Sequence, residues 1–117
     1  MTDTIAKAIR SALPGVSVGR APVSRRGSAV TVCARPEKSV GARRAERVTL
    51  RFTAPSYAEA RRMYLRARDA LVSVGNEAKV GEGARSLVVR ETDGGSAGYI
   101  ARAGLYFITA SFTAYGH

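Results

Sequence analysis

Seven consecutive residues, 47–53, alternate without exception, with Val48, Leu50 and Phe52 on one side and Arg47, Thr49, Arg51 and Thr53 on the other. Successive side chains of a β-strand point to opposite faces, so this pattern commits one face to a core and turns two arginines away from it. A strand of this kind needs neighbouring strands for its backbone and a covering layer for its apolar side. The remaining sequence offers both.

Covering helices are predicted at two places. Ile5, Ala8, Ile9, Ala12 and Leu13 recur at the spacing of one helical face, and Pro14-Gly15 ends that run. Directly after Pro55, Ser56-Tyr57-Ala58-Glu59 is an S-x-x-E capping box, in which the two polar side chains satisfy free amides at a helix start. The helix that follows carries Ala60, Met63, Tyr64, Ala67, Ala70, Leu71 and Val74 in one stripe, and Gly75-Asn76 supplies a left-handed stop. Extrapolated at 100° per residue, Leu65 and Val72 fall on the opposite side, beside Arg61 and Arg68. That gives the helix a second apolar strip.

Further strands are predicted from the same period of two. Val30, Val32 and Ala34 oppose Thr31, Cys33 and Arg35 in a strand that Pro36 stops. Between Pro36 and Arg47 the reading is a long hairpin loop carrying Lys38, Arg43 and Arg44. After glycines at 81 and 83, Leu87-Val88-Val89-Arg90 reads as a strand, residues 92–96 as the turn that reverses the chain, and residues 99–115 as the closing strand. In that strand Tyr106, Ile108, Ala110 and Phe112 share a face, and Gly104 marks a bulge or break. The predicted architecture is therefore α+β: an antiparallel sheet with an N-terminal helix and a longer central helix packed on one face, in a single domain over residues 1–117.

Composition excludes several function classes. One cysteine, Cys33, cannot form a disulfide within the chain, and with His117 as the only histidine a Cys/His zinc site is ruled out, so neither a metal nor another cofactor is expected. Glu91 and Asp93 are close in sequence but end a strand beside a turn, where acidic residues are ordinary, and the glycine pairs lack the spacing of phosphate loops. No activated nucleophile or tuned base stands out, and an enzyme is not expected. The start of the chain lacks the basic and apolar regions of a secretory signal, and no run is apolar enough to span a bilayer, which predicts a protein kept inside a cell and away from membranes. Nineteen Lys and Arg against nine Asp and Glu give a formal charge of +10, pointing to nucleic acid or acidic protein surfaces as partners.

The order of these features resembles the small tail terminator proteins of long-tailed phages, also known as tail completion or minor capsid proteins. The likeness rests on the short N-terminal helix with Ile5, Ala8 and Ile9, the strand from Arg47 to Phe52, the run Ser56-Tyr57-Ala58-Glu59-Ala60 opening a central helix that ends at Leu71, and the closing turn and strand from Gly98-Tyr99 through Tyr106 to Phe112. It spans nearly the whole chain, although the motif holds no catalytic signature. The resemblance implies a structural virion subunit at the head-proximal end of the tail, assembled in the host cytoplasm into a six-copy ring. Such a ring caps the tail tube, ends its polymerisation and joins it to the head connector, so tube and connector proteins are the implied partners, with non-specific contact to DNA in the lumen.

On that reading Leu65, Val72, Arg61 and Arg68, with Arg47 and Arg51, are expected at the contact between subunits, with Glu82, Glu91 and Asp93 as acidic partners across it. Lys38, Arg43 and Arg44 are expected to meet the tube, the connector or DNA. Two alternatives accompany it. One is a head-completion or connector-stopper subunit. The other is a small basic nucleic-acid-binding domain that stacks bases on Tyr99, Tyr106, Phe107 and Tyr115.

Overall fold

The computed structural model describes residues 2–19, 28–40, 43–72, 77–80 and 87–116. Helix α1 (Thr2–Ala12) leads into a short strand β1 (Ser17–Gly19). The hairpin β2 (Ala29–Val40) and β3 (Arg43–Ala54) follows, then helix α2 (Tyr57–Leu71) and strands β4 (Glu77–Val80), β5 (Leu87–Ile100) and β6 (Leu105–Gly116). The six strands form one sheet in the order β1-β2-β3-β6-β5-β4. All neighbours are antiparallel except β1 and β2, where Ser17 to Gly19 run parallel to Ala29 to Thr31. Both helices lie on one face, packed against each other, α2 over β3 and β6 and α1 against the strands at both edges. The expected α+β arrangement is the one observed.

The alternation in 47–53 acts as expected. Val48, Leu50 and Phe52 are completely buried beneath the helices, beside Val30 and Val32 of β2 and Ile108, Ala110 and Phe112 of β6. From above, Ile5 and Ile9 of α1, Leu13 just after it, and Ala60, Met63, Ala67 and Leu71 of α2 close the core, and Tyr64 meets Phe52 edge-on at 5.8 Å between ring centroids. Each large side chain taken fully out of water contributes about 1.5–3 kcal/mol, which is why an apolar stripe is sufficient to seat each helix.

The start of α2 departs from a full capping box. Ser56 Oγ accepts the Glu59 amide at 3.2 Å, as predicted. The Glu59 carboxylate instead takes two bonds at 2.6 Å from Arg62, one turn further on. A charged guanidinium is a stronger donor than a neutral amide. At the other end α2 stops at Leu71, and Val72 turns extended (φ −131°, ψ 121°) while its amide still donates to the Arg68 carbonyl at 2.7 Å. The expected stop at Gly75-Asn76, and Val74, fall outside the described residues.

Two predicted loops are strands. Pairing continues through Pro36 opposite Glu46 and Glu37 opposite Ala45 to Val40 opposite Arg43, with one irregularity, so only residues 41–42 separate β2 from β3. Pro36 is tolerated because β1 covers only Ala29 to Thr31 of β2, leaving the edge beside Pro36 without a described partner strand that would need its missing amide hydrogen. Likewise 92–96 is an irregular stretch of β5, with Asp93 opposite Ser111 and Ser96 opposite Thr109. The chain reverses at 101–104 instead, where the amides of Ala103 and Gly104 both donate to the Ile100 carbonyl and Gly104 adopts φ +65°. The break expected at Gly104 is this turn. Strands β1 and β4, too short to show a period, carry no comparable signal in the sequence.

Candidate assembly surfaces

Two surfaces remain once the core is closed, and they differ in chemistry. The first is the flank of α2 that overhangs β5. Tyr64 and Arg68 identify this side of the helix. Tyr64 donates its hydroxyl to Glu91 at 2.9 Å, and Arg68 Nε reaches both Glu91 oxygens at 3.1 Å. The bond and charge of Glu91 raise the Arg68 pKa above its ordinary value. An arginine already protonated throughout the neutral range gains nothing in charge from this, so the pairing is a fixed brace between helix and sheet.

Tyr57 and Arg61 lie seven residues before Tyr64 and Arg68, hence on the same side, and Leu65 follows Arg61 by four. Tyr57 is 46% and Leu65 42% exposed. Beyond Glu91 the same face of β5 and β6 carries Tyr99 and Tyr106, cross-strand partners whose rings lie 4.8 Å apart and which are 55% and 37% exposed. Tyr106 also pairs with Ala54, three residues before Tyr57, so the tyrosines gather at one end of the molecule. Every large apolar side chain that is exposed among the described residues lies on this flank.

Of the residues expected at a subunit contact, Leu65 and Arg61 are exposed here. Val72 is not: it is 4% exposed and belongs to the core. The extrapolation at 100° per residue fails because the helix has ended at Leu71, and an extended residue swings its side chain back under it. Arg68 is occupied by Glu91, and Glu91 is thereby removed as an acidic partner for a neighbouring subunit. It points to the helix side of the sheet, its side chain largely buried beneath Tyr64 and Arg68 of α2. Glu82 falls outside the described residues, and of Asp93 only the backbone position is described.

The second surface is the helix-free face of the sheet. Arg47 and Arg51 are exposed on it, as the alternation requires, with Thr49 between them bridged to Ser111 at 3.4 Å between hydroxyl oxygens. Register adds what the sequence could not. Arg35 lies directly opposite Arg47, Arg47 opposite Thr113, and Thr113 opposite Arg90, so one row crosses four strands as Arg-Arg-Thr-Arg. Arg51 stacks over the Phe107 ring at 4.5 Å, and that ring lies across Gly98 on the next strand. Cys33 is a free, exposed thiol on the same face.

The backbone of the β2–β3 hairpin carries Lys38, Arg43 and Arg44 toward its far end, on strands rather than in the expected loop. The four aromatics of the stacking alternative do not form one platform. Tyr99 and Tyr106 lie on the helix side, while Phe107 and Tyr115 alternate onto the other.

Among the described residues no group of His, Cys, Asp or Glu is placed to hold a metal ion, and no helix is long and apolar enough to cross a membrane. No protein-family model matches the sequence, and no curated protein does. The fold is similar to that of a chain in the solved virion of a native gene transfer agent particle, with a TM-score of 0.70 and 16% identity over 98% of this chain and 92% of that one. At this identity the likeness establishes the shared fold, end to end.

Proposed function

We propose that the chain is a structural virion subunit that closes into a ring of six copies on the end of a tail tube, stops tube growth and joins the tube to the head connector. The observation that carries this reading is the fold it shares over 98% of its length with a chain of a gene transfer agent virion. The element order it has in common with tail terminators narrows the role.

The tyrosine flank is the natural contact between neighbours in such a ring. Interfaces are enriched in tyrosine and arginine at their centres, and Tyr57, Arg61, Leu65, Tyr99 and Tyr106 supply that composition on a single side. A ring needs a heterologous contact, one patch against a different one, and a one-sided apolar flank suits it. The β2–β3 hairpin with Lys38, Arg43 and Arg44 is then left for the tube or the connector.

Native mass spectrometry and negative-stain imaging of the protein, alone and added to purified tail tubes, test the proposal. Rings on tube ends and arrested tube growth are expected. Tubes that elongate unchanged and carry no ring overturn it, whereas rings that bind the connector but never the tube assign the chain to a connector-stopper role. Stacking of bases on an aromatic platform is disfavoured by the division of the four aromatics between two faces.

A further inference from the structure

We infer that the helix-free face of the sheet is a binding surface for the phosphate backbone of duplex DNA, centred on Arg35, Arg47 and Arg51 over β2 and β3. The inference does not depend on ring formation.

Charge is the first ground. On the positions of β2, β3 and β6 that alternate onto this face there are four arginines, Arg35, Arg43, Arg47 and Arg51, against one carboxylate, Glu37 opposite Ala45 at the hairpin end. By register Glu77 and Asp93 fall toward the β4 and β5 side, so the basic character is concentrated over the other half. Arg35 and Arg47 are direct cross-strand partners, which sets two positive charges side by side across β2 and β3. Arg47 is engaged within the chain as well, and it adds its charge to the strip whether or not it donates outward.

The second ground separates DNA from an acidic protein. Protein interfaces set arginine among large exposed aromatic and apolar groups and are depleted in serine. Here the centre is Arg47, Thr49, Arg51, Thr109 and Ser111, with Phe107 covered by the Arg51 guanidinium. Guanidinia interleaved with hydroxyls are the donors that phosphate oxygens take, and protein–DNA surfaces are the more polar and basic class. A second copy of the chain is a poor occupant, since both copies would present a strip of one sign. Arg47 and Arg51 stand four residues apart along a strand, about 13–14 Å. This is close to the roughly 12 Å width of the B-DNA major groove, so the two ends of the strip face phosphates of both strands. Contacts to phosphate carry no sequence information, so binding through them is independent of sequence.

The test is titration of the full-length protein with a fluorescent mixed-sequence duplex at salt concentrations from about 50 to 200 mM. The slope of log affinity against log salt is close to −0.9 for each phosphate neutralised, so Arg35→Gln with Arg51→Gln, removing two contacts of three, is expected to lower the slope to about one third of wild type. Each single substitution is expected to lower it to about two thirds, which keeps the test intact should the pair fail to fold. A control pair, Arg66→Gln with Arg102→Gln, removes the same charge from α2 and the 101–104 turn and should leave the slope unchanged. The inference is overturned if wild type does not bind at low salt, if the control pair lowers the slope as much as the face pair, or if poly-glutamate competes as well per charge as the duplex. The last outcome would mark an acidic protein as the partner.

Discussion

A single methyl group at position 98 would lie 2.5 Å from Cζ of Phe107, and the ring has little room to yield because the Arg51 guanidinium covers its other side. Gly98→Ala is therefore expected to cost about 1–3 kcal/mol, as overpacking does, measured by urea denaturation, and to cost less in a Phe107→Leu background. Equal costs in both backgrounds would mean that the glycine serves the backbone and not the ring. At the start of α2 the two polar residues of the capping pattern separate energetically. Ser56→Ala removes an observed cap and is expected to cost about 1 kcal/mol. Glu59→Ala removes only an exposed pair with Arg62 and should cost about 0–1 kcal/mol. The cap was legible in four letters of sequence. The glycine was not, because its requirement comes from a residue on another strand.

The elements most easily read are those whose period is long enough to count. α1, α2 and the inward faces of β2, β3 and β6 follow most of the expected residues, since a helix or strand that must bury a stripe shows that stripe, although Ala70, expected in the stripe of α2, is exposed at its edge. Boundaries behave differently. Proline and glycine were taken as stops at 36 and 92–96, yet backbone pairing carried both strands through, one along an edge and one by an irregularity. Val72 shows the same limit at a helix end. The expected strip therefore shrinks to Leu65 with Arg61, joined by Tyr57 from the helix start and by Tyr99 and Tyr106 from the sheet. Leu65→Asp should leave the far-ultraviolet circular dichroism spectrum unchanged, because the residue is 42% exposed, and should prevent rings from forming. Unfolding would place Leu65 in the core, and intact rings would remove α2 from the contact. Arg43→Glu with Arg44→Glu reverses charge on the hairpin and is expected to impair attachment to tube or connector while rings persist, read by sedimentation beside a tail-joining assay.

At the scale of the whole molecule, a charge of +10 on 117 residues is the dominant fact. Described acidic side chains are partly spent inside the chain, Glu91 on Arg68 and Glu59 on Arg62, so the excess falls on the surface. Self-repulsion destabilises a compact state and salt screens it, with a Debye length that falls from about 30 Å at 0.01 M to about 8 Å at 0.15 M. The melting temperature is expected to rise over that range of sodium chloride, and to rise further with phosphate or sulfate, anions suited to the Arg35–Arg47 pair. A melting temperature that falls or stays flat over the range would show that the cations are already compensated by neighbours.

The sequence by itself determined which faces are buried, where the central helix begins and that the chain is α+β, because periodicity records burial directly. It also determined the sign of the surface and the identity of the exposed arginines on β3. Only the tertiary structure decided which of these come together. Register set Arg35 against Arg47 and Tyr99 against Tyr106, and the docking of α2 over β3 and β6 brought Arg68 within reach of Glu91 on β5, turning the two from presumed contacts between subunits into a brace within one. Pairing between strands distant in sequence follows from backbone hydrogen bonding and from packing beneath both helices, neither of which leaves a local trace in the order of residues.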